Sequence, residues 1–187
     1  MTVNLKKQVT IGCCGIDCGL CPRFQTLSGS VCPGCGGKGF REKHPACGYV
    51  TCCVIRQGYE VCSECKEYPC VRFDSEKKGY DSFVTHKKVF ENLDFIKIHG
   101  INKFIDLQKA RMNILSDFLN NYNDGRSKSF FCISCSLLPL DELKKAHRFI
   151  YNHTDLNEVK DINRVLKEQL QVIADNLGIE LKLNAKK

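Results

Sequence analysis

Twelve of the fourteen cysteines in this chain fall between Cys13 and Cys70, and they come in groups. Cys13, Cys14, Cys18 and Cys21 are followed by Cys32 and Cys35, then Cys47, Cys52 and Cys53, then Cys62, Cys65 and Cys70. A C-x2-C pair recurs at Cys18/Cys21, Cys32/Cys35 and Cys62/Cys65. That spacing lets two thiolates from one tight turn reach a single tetrahedral ion, with sulfur–zinc distances of about 2.3 Å. The same stretch holds few large apolar residues. The sequence therefore predicts a metal-nucleated module over residues 10–73, organised by sulfur-bound ions instead of an oily interior.

An even cysteine count also suits the disulfide framework of a secreted miniprotein. Met1 to Val9 is polar, however, carries Lys6 and Lys7, and has no apolar h-region. No apolar run approaches the ~20 residues of a membrane span. These features predict a cytoplasmic chain with no membrane partner, in which the pattern reads as metal thiolates. Cysteine can also serve as a small buried hydrophobe. That role suits Cys13 and one of Cys52 and Cys53, but not three pairs at one spacing.

The formal charge of +7 raises the question of nucleic acid. Residues 1–73 carry nine Lys/Arg and five Asp/Glu, a net of +4, and residues 74–187 carry nineteen and sixteen, a net of +3. Two four-thiolate zinc sites at −2 each cancel the first figure. What remains is too weak for an electrostatic footprint on a phosphate backbone, so a protein partner is expected instead.

Cys32-Pro33-Gly34-Cys35-Gly36-Gly37 is the most diagnostic string. Such a knuckle bends sharply, its amides can point at a thiolate, and glycine after the second cysteine supplies a positive φ. This is a zinc-ribbon-like half-site, which Cys62/Cys65 with Cys70, or Cys18/Cys21 with Cys14, can complete. Cys14-x3-Cys18-x2-Cys21-Pro22 has a second reading: three thiolates at this spacing can hold a [4Fe–4S] cluster, as in an electron carrier or oxidoreductase component. A radical S-adenosylmethionine enzyme would embed that motif in a βα barrel, a pattern missing here. His44 is the one histidine placed to join a metal site, whereas His86, His99, His147 and His153 read as surface residues. No Ser/His/Asp arrangement and no H-E-x-x-H string stands out, and the chain carries no catalytic signature.

Helical periodicity takes over after Phe73, giving a helical domain over residues 74–187. Residues 80–98 read as one or two helices with Phe83, Phe90 and Leu93 on one face, ended by Gly100. Phe104, Ile105, Met112, Leu115, Phe118, Leu119 and Tyr122 mark a helix over 102–122 that stops at Asn123-Asp124-Gly125. Phe130 to Leu138 is an apolar segment holding Cys132 and Cys135, which read as packing residues. Asp141 is placed to cap a helix running to Tyr151, and Asp155 with Glu158 to box the start of the last helix. That helix presents Leu156, Val159, Ile162, Leu166, Leu170, Ile173 and Leu177. Gly178 ends it, and residues 179–183 read as a short strand. Arg126 and Lys128, in a basic, hydroxyl-rich turn, are the candidates for holding an anion.

The run Cys14-Gly15-x2-Cys18-x2-Cys21-Pro22, then Cys32-x-Gly34-Cys35, then Cys53-x8-Cys62-x2-Cys65-x3-Pro69-Cys70 resembles the prokaryotic cysteine-rich family catalogued as domain of unknown function 3795. The likeness continues through Gly79-Tyr-Asp-Ser-Phe83 with Thr85-His86, and through Asn123 to Phe130 with Cys132. It implies metal binding, usually taken as zinc, and no known reaction. The family pattern has a C-x4-C pair before its C-x8-C step. Here Cys47 to Cys52 keeps the first spacing and Cys53 to Cys62 the second, so Cys52 and Cys53 both remain candidates. The expected fold is α-rich: a small irregular cysteine-rich metal-binding module with zinc-ribbon-like knuckles, followed by an all-helical domain. Its expected ligands are Cys14, Cys18, Cys21, Cys32, Cys35, Cys47, Cys53, Cys62, Cys65 and Cys70, around two zinc ions or a [4Fe–4S] cluster.

Overall fold

A computed structural model describes residues 3–27, 29, 31–152 and 158–184. Among these the chain is helical and forms no strand. It divides into two compact units, one running to Asp106 and including Leu183 and Asn184, the other Leu107–Lys182. The division thus falls inside a helix and well beyond Phe73, where the composition changes.

The cysteine-rich part of the first unit is built from short turns: 3-10 turns at Cys18–Leu20, Cys62–Glu64, Val71–Asp74 and Glu76–Lys78, the four-residue helix α1 (Phe40–Lys43), and a π-helical segment at Val50–Arg56. Two long helices follow, α2 (Val89–His99) and α3 (Ile101–Asn121), parted by Gly100. Val89, Leu93 and Ile96 of α2, with Phe104 and Ile105 of α3, bury against Ile11, Val61 and Phe73. Phe73 is ringed by Tyr49, Tyr68 and Phe90 at centroid distances of 5.1, 5.2 and 5.7 Å. Each buried side chain of this size stabilises by about 1.5–3 kcal/mol. The cysteine module therefore does have an oily interior, contrary to expectation, because residues beyond 73 provide half of it.

Residues 80–88 are irregular, and α2 starts nine residues later than its periodicity predicts. Asp81 explains the difference. Its carboxylate accepts the amides of His86 (2.6 Å) and Asn184 (2.7 Å), and its own amide donates to Asn184 O (2.9 Å), so backbone groups go to a side chain and a distant segment. Phe83 is consequently 58% exposed, with the Arg23 guanidinium 3.7 Å above its ring. Residues 179–183 form no strand, contrary to expectation.

In the second unit the remainder of α3 is joined by α4 (Lys128–Leu137), α5 (Leu140–Asn152) and α6 (Val159–Asn176). Residues 131–138 are all buried, and α5 packs on α6. Phe118 meets Phe131 at 5.5 Å. Arg111 Nη1 donates to the carbonyls of Cys135 (2.7 Å) and Leu138 (2.6 Å), satisfying groups that the end of α4 leaves without helical partners. Cys132 and Cys135 are 2% and 0% exposed, as packing residues should be. Asp141 lies in the first turn of α5 instead of capping it. Glu158 occupies the cap of α6, while His153, Asp155 and Leu156 lie outside the described residues.

Candidate functional site

Two of the C-x2-C pairs adopt the same turn. The amide of Cys21 donates to Cys18 O (3.1 Å) and that of Cys65 to Cys62 O (3.0 Å), closing one 3-10 turn each. In the Cys32–Cys35 turn the amide of Cys35 goes to Val9 O instead (2.8 Å), and Gly36 takes the positive φ, +69°, expected of it. Amides also point at sulfur. Cys14 accepts from Ile16 N–H, Cys21 from the N–H groups of Arg23 and Phe24, and Cys35 from Cys13 N–H at 3.4 Å. Donors aimed at sulfur favour a thiolate there.

These turns surround a cavity of about 300 Å³ lined by Cys13, Cys14, Cys18, Cys21, Cys32, Cys35 and Cys47. Six of the ten sequence-predicted ligands thus meet at one place. Two more, Cys53 and Cys62, pack in one cluster with Cys13 and Cys35. The π-helical segment sets this choice, burying Cys53 and leaving Cys52 half-buried beside it. Cys65 and Cys70 do not line the cavity, and Cys70 packs on the apolar core.

Burial is the main influence on three of the cavity thiols, Cys14, Cys18 and Cys21, and pushes them all up. Neighbouring sulfurs push the same way, so these thiols hold their protons more firmly than a free thiol does. Around Cys13 the balance differs. The neighbouring Cys13 thiol holds Cys35 and Cys53 below the usual thiol range, with help from the ammonium of Lys6. The same neighbours drive Cys13 far up.

Polar side chains line the cavity as well. His86 Nδ1 lies 2.7 Å from Glu76 Oε2, and its Nε2 lies 3.0 Å from Ser82 Oγ. With a proton on Nδ1 facing the carboxylate, the neutral ring offers Nε2 as acceptor to the Ser82 hydroxyl. Ser82, His86 and Glu76 all line the cavity with His44, Tyr49 and Arg23. The sequence places His86 at the surface, whereas its side chain is only 14% exposed. No local spacing announces the trio, since the irregular loop after Glu76 brings it together. The order is that of a nucleophile, base and orienting acid. The amides of Ser82 and His86 are engaged by Val84 O and Asp81 Oδ1, so neither is available to stabilise an oxyanion.

Arg126 and Lys128 belong to the second unit. There the carboxylate of Asp124 accepts from Arg126 N–H (2.9 Å) and Ser127 Oγ (2.9 Å), taking up donors that a bound anion would use. Among the described residues, no group of three or more His, Cys, Asp or Glu side chains stands arranged to hold a metal ion. No helix among them is long and apolar enough to cross a membrane. No protein-family model, curated protein or solved structure matches this chain.

Proposed function

We propose that this chain is a metal-binding protein whose cavity thiols, Cys14, Cys18, Cys21, Cys32 and Cys47, hold a sulfur-ligated centre. The observation that carries this reading is the convergence of seven cysteines on one cavity. The donor set is soft and suits zinc or iron–sulfur chemistry over magnesium or calcium. Backbone amides directed at the sulfurs of Cys14 and Cys21 support it, because such amides stabilise the anionic form a metal needs. The backbone turn at Cys18–Cys21, which recurs at Cys62–Cys65, is compatible with the paired-thiol half-site that the C-x2-C spacing suggests. With zinc, four thiolates close the coordination sphere and the role is structural, presenting a surface to a protein partner. The resemblance to the family of unknown function carries the same implication.

A [4Fe–4S] cluster is the second reading, and the size of the cavity favours it. A space of about 300 Å³ far exceeds what one ion needs, and Cys14, Cys18 and Cys21 all border it. When bound, a cluster supplies one-electron chemistry, which this chain's cysteines would hold and its burial would tune. Elemental analysis and a visible spectrum of anaerobically purified protein decide between the two. Zinc without colour supports the structural site, and iron with sulfide and broad visible absorbance supports the cluster. Protein that binds neither when offered each under reducing conditions refutes metal binding in the cavity.

A further inference from the structure

A sulfur-ligated centre leaves the polar trio on the cavity wall without a task. Ser82 Oγ lies 3.0 Å from His86 Nε2, and His86 Nδ1 lies 2.7 Å from Glu76 Oε2. We propose that Ser82, His86 and Glu76 form a hydrolytic site for small carboxylic esters, with Ser82 as nucleophile and the Arg23 guanidinium as oxyanion donor. This activity does not depend on the cavity thiols holding a metal.

The chain places the trio through local bonds. Ser82 and His86 stand four residues apart on the irregular loop. The Asp81 carboxylate accepts the His86 amide at 2.6 Å and the Asn184 amide at 2.7 Å, tying that loop to itself and to a distant segment. Glu76 opens the 3-10 turn just before it, and the Tyr49 hydroxyl stands 3.4 Å from its other carboxylate oxygen. The side chains of His86 and Glu76 are 14% and 10% exposed, so an imidazolium formed there meets its carboxylate with little screening by water. Ser82 itself is exposed, and a substrate can reach it.

An oxyanion needs donors, and the amides of Ser82 and His86 are already engaged. Arg23 fills that gap. Its guanidinium stacks 3.7 Å above the ring of Phe83, the residue next to Ser82, and lines the same cavity. Stacking uses the face of the guanidinium, and its in-plane N–H groups donate to no partner among the described residues. Ile16, Phe40, Phe83 and Val84 add apolar lining, and a cavity of about 300 Å³ is at the small end of ligand pockets. A short acyl group fits such a space and a long lipid chain does not.

In the reaction, Ser82 Oγ bonds to the ester carbon as its proton passes to His86 Nε2, and negative charge gathers on the carbonyl oxygen facing Arg23. The C–O bond to the alcohol breaks, and the alcohol leaves with the proton from Nε2. Water then gives a proton to Nε2 as it attacks the acyl carbon; the acid departs and Oγ takes that proton back. Glu76 stays ionised throughout, and nothing is oxidised or reduced.

A fluorophosphonate, which reacts with activated serine hydroxyls, is the probe. Full-length reduced protein is treated with it, and peptide mass spectrometry locates the label. Labelling at Ser82 is the expected result, slowed about 100-fold in His86→Gln and about tenfold in Arg23→Met, since Arg23 is partly in water. Hydrolysis of 4-nitrophenyl acetate is then compared between the native protein and Ser82→Ala. The thiols are common to both, so a faster native protein assigns the difference to Ser82. Glu76 is a positioning residue with a spectroscopic signature: nitrogen-15 shifts of His86 are expected to report the Nδ1-protonated tautomer, and Glu76→Gln to move them towards the other. Unmoved shifts would overturn the role of Glu76. Label absent from Ser82, labelling that His86→Gln leaves unslowed, or equal hydrolysis by native protein and Ser82→Ala overturns the proposal. The label map of the native protein decides even where a variant fails to fold. Protein that binds zinc or iron yet takes no label at Ser82 sinks this proposal and spares the metal reading, whereas labelled protein that binds neither does the reverse.

Discussion

Lys6 keeps an ammonium inside the protein, where an uncompensated charge costs several kcal/mol. The carbonyl of Ile11 and the sulfurs of Cys35 and Cys53 supply the compensation. Lys6→Met is expected to weaken metal affinity about tenfold, or ~1.4 kcal/mol, in a competition titration, and Lys6→Arg to retain most of it. Unchanged affinity in Lys6→Met would separate the ammonium from the thiols. Ser63, buried between Cys62 and Cys65, has a hydroxyl without a hydrogen-bond partner among the described residues. Ser63→Ala is expected to raise stability by about 1 kcal/mol by removing that unsatisfied group, and a lower urea midpoint would show that the hydroxyl is used. At this scale the sequence was informative about where cysteines gather and less so about how they group. Local spacing identifies Cys18 with Cys21. It cannot reveal that Cys13 meets Cys35, Cys53 and Cys62, because those separations are set by a π-helical turn and a loop.

Helices were legible wherever apolar periodicity ran uninterrupted. The helix predicted over 102–122 forms at Ile101–Asn121, and Leu166, Leu170 and Ile173 of α6 are buried as expected. Residues 80–88 depart from their periodicity because Asp81 bonds the His86 amide and Asn184 across the chain, and no periodic pattern encodes such a pairing. Gly15 shows how closely one turn fits its neighbour. At φ +94°, a Cβ on it would sit 2.5 Å from Val89 O and 2.8 Å from Leu93 Cγ, both on α2. Gly15→Ala is expected to cost about 2–4 kcal/mol in denaturant unfolding, from left-handed strain plus overpacking. The turn before α4 rests on Asp124, whose carboxyl is held below its usual range, first by the Arg126 amide and then by the Ser127 hydroxyl. A depressed folded-state value means the stabilisation is complete above the ordinary carboxylate range and fades as pH falls through the folded-state value. Asp124→Asn is expected to be less stable than the native protein at neutral pH, and the gap to close in acid. A gap that widens on acidification would reverse the assignment.

For the molecule as a whole, two sources of order coexist in the first unit: thiols around the cavity, and the apolar core of Ile11, Val61 and Phe73 with α2 and α3. Chelation is therefore expected to leave most far-ultraviolet helical signal intact, since the long helices lie outside the cysteine region, while amide exchange accelerates at residues 10–65. Loss of the helical signal on chelation would show that the core cannot stand without metal. Composition alone placed the boundary at residue 73, because it sees where cysteines stop and not where the apolar residues that cover them begin. Cys35 deserves a last thought, for it borders the cavity and also touches Cys13. One sulfur atom shared by the cavity wall and the buried cysteine cluster makes them thermodynamic correspondents: a change of charge at either is felt at the other. By linkage, that influence must be equal in both directions.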